Sequence, residues 1–145
     1  GVTTGVGAAI KTAEVKPGST VAVWGCGGVG LNVIQGARIA GAAKIIAVDL
    51  SAERMEMARA FGATDVINPE SDAFKQVLEM TDGIGVDYCF EVVGNGKLIE
   101  ACFKATRFGG TTVLVGVGRA DDRFSINAMI VPFSSKTINF TKQKT

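Results

Sequence analysis

The sequence contains no histidine, and this absence removes the side chain that most often serves as a general base or metal ligand near neutral pH. It has only three cysteines, Cys26, Cys89 and Cys102, an odd number without C-x-x-C spacing. That pattern indicates neither a disulfide framework nor a zinc knuckle, so we expect three buried free thiols. No Ser/His/Asp arrangement or other complete catalytic set is present.

Long apolar runs and an excess of one charge are also missing. No apolar run approaches the roughly 20 residues that a membrane span needs, and residues 1–10 lack the pattern of a secretion signal. Fifteen Lys and Arg residues nearly balance fourteen Asp and Glu residues, which leaves a formal net charge of +1. We therefore expect a cytoplasmic protein that binds neither nucleic acid nor membranes.

Apolar β-type runs alternate with helical segments along the chain, and this alternation is typical of a parallel sheet covered on both faces. The prediction is one α/β domain over residues 1–145, a doubly wound parallel sheet (Rossmann fold) with about six strands in the order 3-2-1-4-5-6. The predicted strands are Val21–Trp24, Ile45–Val48, Asp65–Ile67, Val86–Val92, Thr111–Val117 and Thr137–Phe140. The predicted helices are Gly5–Glu14, Leu31–Ala40, one from the N-cap Ser51 to Phe61, one after the N-cap Asp72, and Gly96–Ala105. Gly109 and Gly110 are predicted to precede the fifth strand, and residues 118–135 carry no clear pattern.

A glycine-rich turn joins the first predicted strand to the helix that follows it. Gly25, Gly27 and Gly30 form the pattern G-x-G-x-x-G, in which the first glycine allows a tight turn and the second lets a pyrophosphate approach the backbone. Backbone amides at the start of the helix can then hold phosphates. Because a strand precedes the turn and a helix follows it, the pattern favours dinucleotide binding over a merely structural loop.

Asp49 ends the second predicted strand nineteen residues after Gly30. There its carboxylate can accept hydrogen bonds from both hydroxyls of an adenosine ribose, whereas a 2′-phosphate would meet a like charge. No arginine at position 50 or 51, which are Leu50 and Ser51, favours a 2′-phosphate instead. Arg54 can reach the same ribose edge. We expect NAD rather than NADP; the alternative for Asp49 is a solvated loop acid.

Three further features stay open at this point. Val29 can pack against a nicotinamide or simply belong to the core. Glu91 ends an apolar strand, where an exposed carboxylate is at least as plausible as a catalytic one. Asp121 and Asp122 lie among arginines and are interpreted as a solvated turn.

Five segments together resemble the coenzyme-binding domain of zinc-dependent alcohol dehydrogenases, in the medium-chain dehydrogenase/reductase superfamily. The resemblance extends to about Ile138 and is greatest to the branch with the class III, glutathione-dependent formaldehyde dehydrogenases. The segments are Gly1–Ala9 (GVTTGVGAA), Val15–Ser19 (VKPGS), Gly25–Gly30 (GCGGVG), Ile45–Asp49 (IIAVD) and Phe61–Thr64 (FGAT).

The resemblance implies an oxidoreductase that transfers hydride between a small alcohol or aldehyde and NAD, with zinc at the catalytic centre. In the family, the zinc ligands and proton relay belong mainly to a GroES-like domain, and one ligating cysteine directly precedes the glycine that matches Gly1. We therefore expect this chain to lack the GroES-like domain, metal ligands and catalytic residues, to bind NAD(H), and to be inactive alone. Family members also form homodimers through the sixth strand, here Thr137–Phe140, whereas Asn139–Thr145 departs from the family pattern.

The resemblance also assigns cofactor-binding residues by position. Thr4 matches a nicotinamide contact, and Val29 matches the valine behind the nicotinamide ring. Matches to the phosphate loop are Gly25, Gly27, Gly28 and Gly30; matches near the adenosine ribose are Asp49, Arg54, Val92 and Val93; matches to the nicotinamide wall are Val115, Gly116 and Val117. Two other functions share the strand, glycine turn and acid: a stand-alone dinucleotide sensor and an S-adenosylmethionine methyltransferase.

Overall fold

The predicted Rossmann fold is confirmed by a computed structural model, which describes residues 2–7, 11–70 and 72–141, without the side chains of residues 2–4. Six parallel strands lie in the order β3-β2-β1-β4-β5-β6. The strands are β1 (Thr20–Trp24), β2 (Lys44–Val48), β3 (Asp65–Ile67), β4 (Val86–Glu91), β5 (Thr106–Leu114) and β6 (Thr137–Phe140). The helices are α1 (Val2–Gly7), α2 (Gly28–Ile39), α3 (Ala52–Phe61), α4 (Ala73–Met80), α5 (Gly96–Ala105) and α6 (Ile130–Ser134).

Successive residues of the central strands pack into two separate cores because side chains alternate between the faces of a sheet. In β1, Val21 and Val23 join the core that contains Ile34 of α2 and Ala58 of α3. On the other face, Ala22 and Trp24 join the core formed with α4 and α5. Both faces are thus covered by helices, which explains why β1 and β2 are almost continuously apolar.

Short polar side chains begin three of the helices. Ser51 accepts a hydrogen bond from the Arg54 amide, as an N-cap does, and Asp72 accepts one from the amide of Lys75, so both predicted caps are confirmed. Asn95 does the same for α5. These caps fix where the chain turns from each strand into the next helix.

The fifth strand begins earlier than predicted. It starts at Thr106 because the Thr106 hydroxyl bonds to the Cys102 carbonyl and lies 2.7 Å from the Thr112 hydroxyl, which ties the end of α5 to the strand. Gly109, with φ +78°, and Gly110 therefore lie inside β5, where the pairing with β4 shifts register. The glycines mark an irregularity in the strand and not a turn before it.

Other boundaries also differ from the sequence prediction. The first two strands begin one residue earlier, at Thr20 and Lys44. The second helix covers Gly28–Ile39 and not Leu31–Ala40, and the fifth strand ends at Leu114 and not Val117. The first helix covers Val2–Gly7, where Gly5–Glu14 was predicted; part of the predicted range, residues 8–10, lies outside the described residues. The fourth strand ends at Glu91 and not Val92. The unassigned segment contains the short helix α6.

Two expectations about composition can be compared with the fold. Cys26, Cys89 and Cys102 are all buried free thiols, as predicted. Within residues 2–7, 11–70 and 72–141, no helix is both long enough and apolar enough to cross a bilayer.

Candidate dinucleotide site

The carboxyl ends of four neighbouring strands lie at one level along a single edge of the sheet. Trp24 of β1 pairs with Val48 of β2 on one side and with Glu91 of β4 on the other, and Glu91 pairs with Leu114 of β5. The chain runs from β1 toward β3 on one side and from β4 toward β6 on the other, so the strand order reverses between β1 and β4. Ligands of open α/β sheets bind in the crevice at such a reversal.

The glycine turn after β1 is closely packed on one side and open on the other. A Cβ built at Gly30 would lie 1.8 Å from the carbonyl oxygen of Gly25, so α2 starts almost in contact with the end of β1. By contrast, a Cβ built at Gly27 or Gly28 would meet no atom within 4 Å. The turn therefore presents bare backbone to open space, as a phosphate site requires.

The start of α2 has backbone donors without a side-chain partner. Gly27 is the N-cap residue and makes no side-chain cap hydrogen bond, and the first turn contains no acidic residue. The first intrahelical bond runs from the Leu31 amide to the Gly27 carbonyl at 2.9 Å. The amides before Leu31, at the positive end of the helix dipole, can thus receive an anion.

Asp49 anchors the same glycine turn. Its Oδ2 accepts a hydrogen bond from the Cys26 amide at 2.8 Å, its Oδ1 accepts one from the Ser51 amide at 2.9 Å, and Arg54 Nη1 lies 3.9 Å from Oδ2. Only 8% of Asp49 is exposed, so it is not a solvated loop acid. A carboxylate has about four acceptor positions, and Asp49 can therefore hold the turn and still accept bonds from a ribose.

The Cys26 side chain is not part of this chemistry. Burial, together with the nearby Asp49 charge, raises the pKa of the Cys26 thiol to about 12, and the Sγ atom faces the Val48 carbonyl at 3.8 Å. Burial also raises the pKa of Cys102, next to Cys89. Protonated, buried thiols are poor nucleophiles and poor metal ligands.

A zinc ion does not fit the described residues of this chain. In residues 2–7, 11–70 and 72–141, no group of three or more His, Cys, Asp or Glu side chains could hold a metal. A structural or catalytic zinc needs three or four such ligands.

A cleft of about 500 Å³ lies between the glycine turn and α3. The Arg54 side chain, 61% exposed, stands at its edge beside Asp49. The cleft thus combines open backbone with an exposed cation, and the anchored acid lies beside it, as a phosphate and an adjacent ribose need. Its lining comprises Cys26, Gly27, Gly28, Leu31, Ser51 and Arg54, with Glu53 and Met57.

The other residues that the sequence singled out lie along the same edge. Val93 is 55% exposed, and its Cγ2 lies 2.7 Å from where a Gly25 Cβ would be, so it covers the glycine turn. Val92 is half-buried, Val115 is buried and Val117 is 70% exposed. The fold thus brings Val92 and Val93 next to the turn. Val115, Gly116 and Val117 directly follow the end of the neighbouring strand, β5.

Two of the predicted contacts are not decided by this geometry. Val29 is half-buried and packs against the core that contains α2, a position that is compatible with both interpretations of this residue. Thr4 belongs to α1, but its side chain lies outside the described part of the structure.

Sequence reasoning missed the contacts of two acids. Glu91 is fully buried, so the alternative of an exposed strand-end carboxylate was wrong; Oε1 accepts hydrogen bonds from the amides of Val93 and Gly94. Asp121 and Asp122 are both exposed, as predicted, and Asp121 lies beside Arg119. Asp122 also accepts a hydrogen bond from the Gly96 amide at 2.8 Å, at the start of α5, which the sequence did not indicate.

Comparison with known proteins decides the family. Residues 28–141 match the family model described as zinc-binding dehydrogenase. The chain belongs to this zinc-binding dehydrogenase family. The match covers the glycine turn from Gly28 onward, the acid Asp49 and all strands after β1.

Known members share both sequence and fold with the chain. It is 47% identical over 132 residues to S-(hydroxymethyl)glutathione dehydrogenase of Saccharomyces cerevisiae, covering 86% of this chain and 34% of that protein. A solved alcohol dehydrogenase zinc-binding domain protein from Burkholderia ambifaria has a TM-score of 0.92 at 35% identity, covering 97% of this chain and 38% of the other. A zinc-binding dehydrogenase structure from Sinorhizobium meliloti 1021, bound to NADP, has a TM-score of 0.91 at 26% identity and covers 97% and 42%.

The matched proteins are much longer than this chain. It spans 34% of S-(hydroxymethyl)glutathione dehydrogenase of Saccharomyces cerevisiae and 38% of alcohol dehydrogenase 1 of Tanacetum cinerariifolium, two of its curated relatives.

Proposed function

We propose that the chain is the NAD-binding domain of an alcohol dehydrogenase that transfers hydride between a small alcohol or aldehyde and NAD. One observation carries this proposal: open backbone at Gly27 and Gly28 lies beside the buried carboxylate of Asp49. Bare amides suit a pyrophosphate, and an adjacent acid suits a ribose diol. The family membership and the similarity to alcohol dehydrogenases support the same proposal.

Each part of the site has a role in this proposal. Amides at the start of α2 bind the pyrophosphate, while Asp49 and Arg54 bind the adenosine ribose. Val92 and Val93 flank that ribose. Val29, Thr4, Val115, Gly116 and Val117 surround the nicotinamide, which when bound supplies the position that accepts or donates hydride.

NAD is the expected coenzyme because of the charge of Asp49. A 2′-phosphate on the ribose would approach a carboxylate that is only 8% exposed and whose oxygen lies 3.9 Å from a single arginine nitrogen. The carboxylate and the 2′-phosphate carry like charges and would repel each other, and a partly buried site weakens the screening by water and salt. The related structure bound to NADP shows why this choice has to be measured.

Hydride transfer requires more than the residues described above. Since they include no metal-ligating group, we propose that the zinc, the proton relay and most of the substrate pocket belong to a GroES-like domain of the kind that the family resemblance implies. This chain alone is then expected to bind coenzyme and to catalyse no reaction.

Isothermal titration calorimetry of the purified chain tests the proposal. We expect NAD or NADH to bind and NADP to bind at least about tenfold more weakly, because NADP carries the 2′-phosphate. S-adenosylmethionine is expected not to bind, because it has no pyrophosphate. Binding of S-adenosylmethionine alone would indicate a methyltransferase instead. Binding of NAD by a complete protein without dehydrogenase activity would indicate a sensor.

We also propose a homodimer formed through β6. The strand pairs with β5 on one side and ends the sheet on the other, and Ile138 and Phe140 are 38% and 72% exposed. An unpaired apolar edge is a template for a second strand. Sedimentation velocity is expected to show a dimer, and Phe140→Lys is expected to shift it toward monomer without changing NADH affinity. A monomeric unsubstituted chain would contradict this proposal.

A further inference from the structure

We infer that Glu91 is a positioning residue that shapes one side of the proposed dinucleotide site by holding backbone amides of the segments after β4 and β5. The inference rests on the proposed coenzyme function. Glu91 is the last residue of β4, at the point where the strand order reverses, and it is fully buried.

The side chain holds the segment that follows its own strand. Oε1 accepts hydrogen bonds from the amides of Val93 and Gly94, and Oε2 lies 3.0 Å from the Gly94 amide. The amides of two consecutive residues thus face one carboxylate, in the way that backbone amides wrap a bound anion. This turn places Val92 and Val93 beside Gly25.

The backbone of Glu91 holds the segment after β5. Its carbonyl oxygen accepts hydrogen bonds from the amides of Val115 at 2.9 Å and Gly116 at 3.1 Å. A single residue therefore connects the segment that flanks the adenosine ribose in the proposed function with the segment that lines the nicotinamide.

The two segments are packed too closely to move independently. A Cβ built at Gly116 would lie 2.2 Å from the Gly94 amide nitrogen, and one built at Gly94 would lie 2.3 Å from the Val117 carbonyl oxygen. Backbone contacts of this kind leave no flexible side chain to absorb a shift. Movement of the turn at Gly94 is thus transmitted to Gly116 and Val117.

The environment of Glu91 contains no compensating cation. None of the ion pairs among the described residues involves Glu91. Burial raises the pKa of the Glu91 carboxyl, while the amides of Gly94, Val93 and Asn95 lower it. The negative charge of Asp122 also raises the pKa of Glu91, and the charge of Glu91 in turn acts on the Cys102 thiol. The amides are thus the favourable interactions that hold a buried acid in this place.

Substitution by glutamine is the sharpest test. Glu91→Gln keeps the shape of the side chain and an Oε1 that can accept from the amides of Val93 and Gly94. It replaces Oε2 with an NH₂ group, a donor that would face the Gly94 amide donor 3.0 Å away. Thr81→Val is a matched control, because the Thr81 hydroxyl is buried and accepts a hydrogen bond from the Gly85 amide at the opposite end of β4. Dissociation constants for NADH and for AMP are measured for both variants by fluorescence and calorimetry.

We expect Glu91→Gln to raise the NADH dissociation constant at least about tenfold and that of AMP less than about threefold, because AMP would contact only the segment after β4, whereas NADH would contact the segments after both β4 and β5. Thr81→Val is expected to change neither by more than about twofold. Equal weakening of NADH and AMP, unchanged NADH affinity, or failure of both Glu91→Gln and Glu91→Asp to fold would each overturn the positioning role. If the unsubstituted chain binds neither ligand, the proposed coenzyme function fails first.

Discussion

Replacement of Gly30 by alanine is expected to lower the free energy of unfolding by about 3 kcal/mol or more, a large share of the roughly 5–15 kcal/mol that stabilises a typical domain. The new Cβ would lie 1.8 Å from the Gly25 carbonyl oxygen and 2.8 Å from its carbonyl carbon. Both atoms are backbone at the end of β1, so α2 as a whole would have to move away from the sheet. The contacts of Val33, Ile34 and Ala37 with the core would loosen with it.

Gly28→Ala provides the matched control in the same helix. A Cβ at Gly28 would meet no atom within 4 Å, and alanine in place of glycine in a helix contributes up to ~1 kcal/mol of stability. We therefore expect Gly28→Ala to unfold at the same or a higher urea concentration than the unsubstituted chain. Its NADH affinity is expected to fall, because the added methyl group occupies the open side of the turn.

Urea unfolding followed by circular dichroism distinguishes the two variants. If Gly30→Ala and Gly28→Ala have equal midpoints, the close approach of α2 to the end of β1 is not what requires glycine at position 30. A large difference would show that the two glycines have separate roles, one in packing and one in access to the ligand.

Much of this fold could be predicted from local sequence patterns. Asp65–Ile67, Gly96–Ala105 and Thr137–Phe140 have the predicted bounds, because apolar periodicity and flanking caps or turn residues agree at each of them. The early start of β5 could not be predicted, since Gly109 and Gly110 ordinarily indicate a turn. Their place inside the strand depends on pairing between Val86 and Thr106, which only the assembled sheet provides.

The candidate site likewise contains residues whose placement could be predicted from the sequence and residues whose role could not. Gly25, Gly30 and Asp49 belong to a motif of fixed spacing, so their placement around one turn could be predicted. The roles of Glu91 and Asp122 could not, because their partners are backbone amides without a sequence signal. Asp122 meets the Gly96 amide across 26 positions of sequence, a contact that exists only after α5 and the later loop pack together.

Substitution of Asp49 by glycine is expected to raise the NAD dissociation constant by at least about 100-fold, because each hydrogen bond to a charged group contributes about 1.5–3 kcal/mol and two ribose bonds are lost. The substitution also releases the amides of Cys26 and Ser51, which the carboxylate holds at 2.8 Å and 2.9 Å. Loss of affinity alone would therefore not separate recognition of the ribose from support of the turn.

The ratio of NADP to NAD affinity separates these two roles. Disorder in the glycine turn weakens both coenzymes alike, because they share the same pyrophosphate, whereas removal of the Asp49 charge relieves repulsion only for the 2′-phosphate. We expect the preference for NAD to fall at least about tenfold in Asp49→Gly. Arg54→Gln is the opposite control: it removes the cation 3.9 Å from Oδ2, leaves both amide bonds of Asp49 in place, and is expected to strengthen the preference for NAD. An unchanged ratio of NADP to NAD affinity in Asp49→Gly would show that Asp49 supports the glycine turn and does not discriminate between the coenzymes.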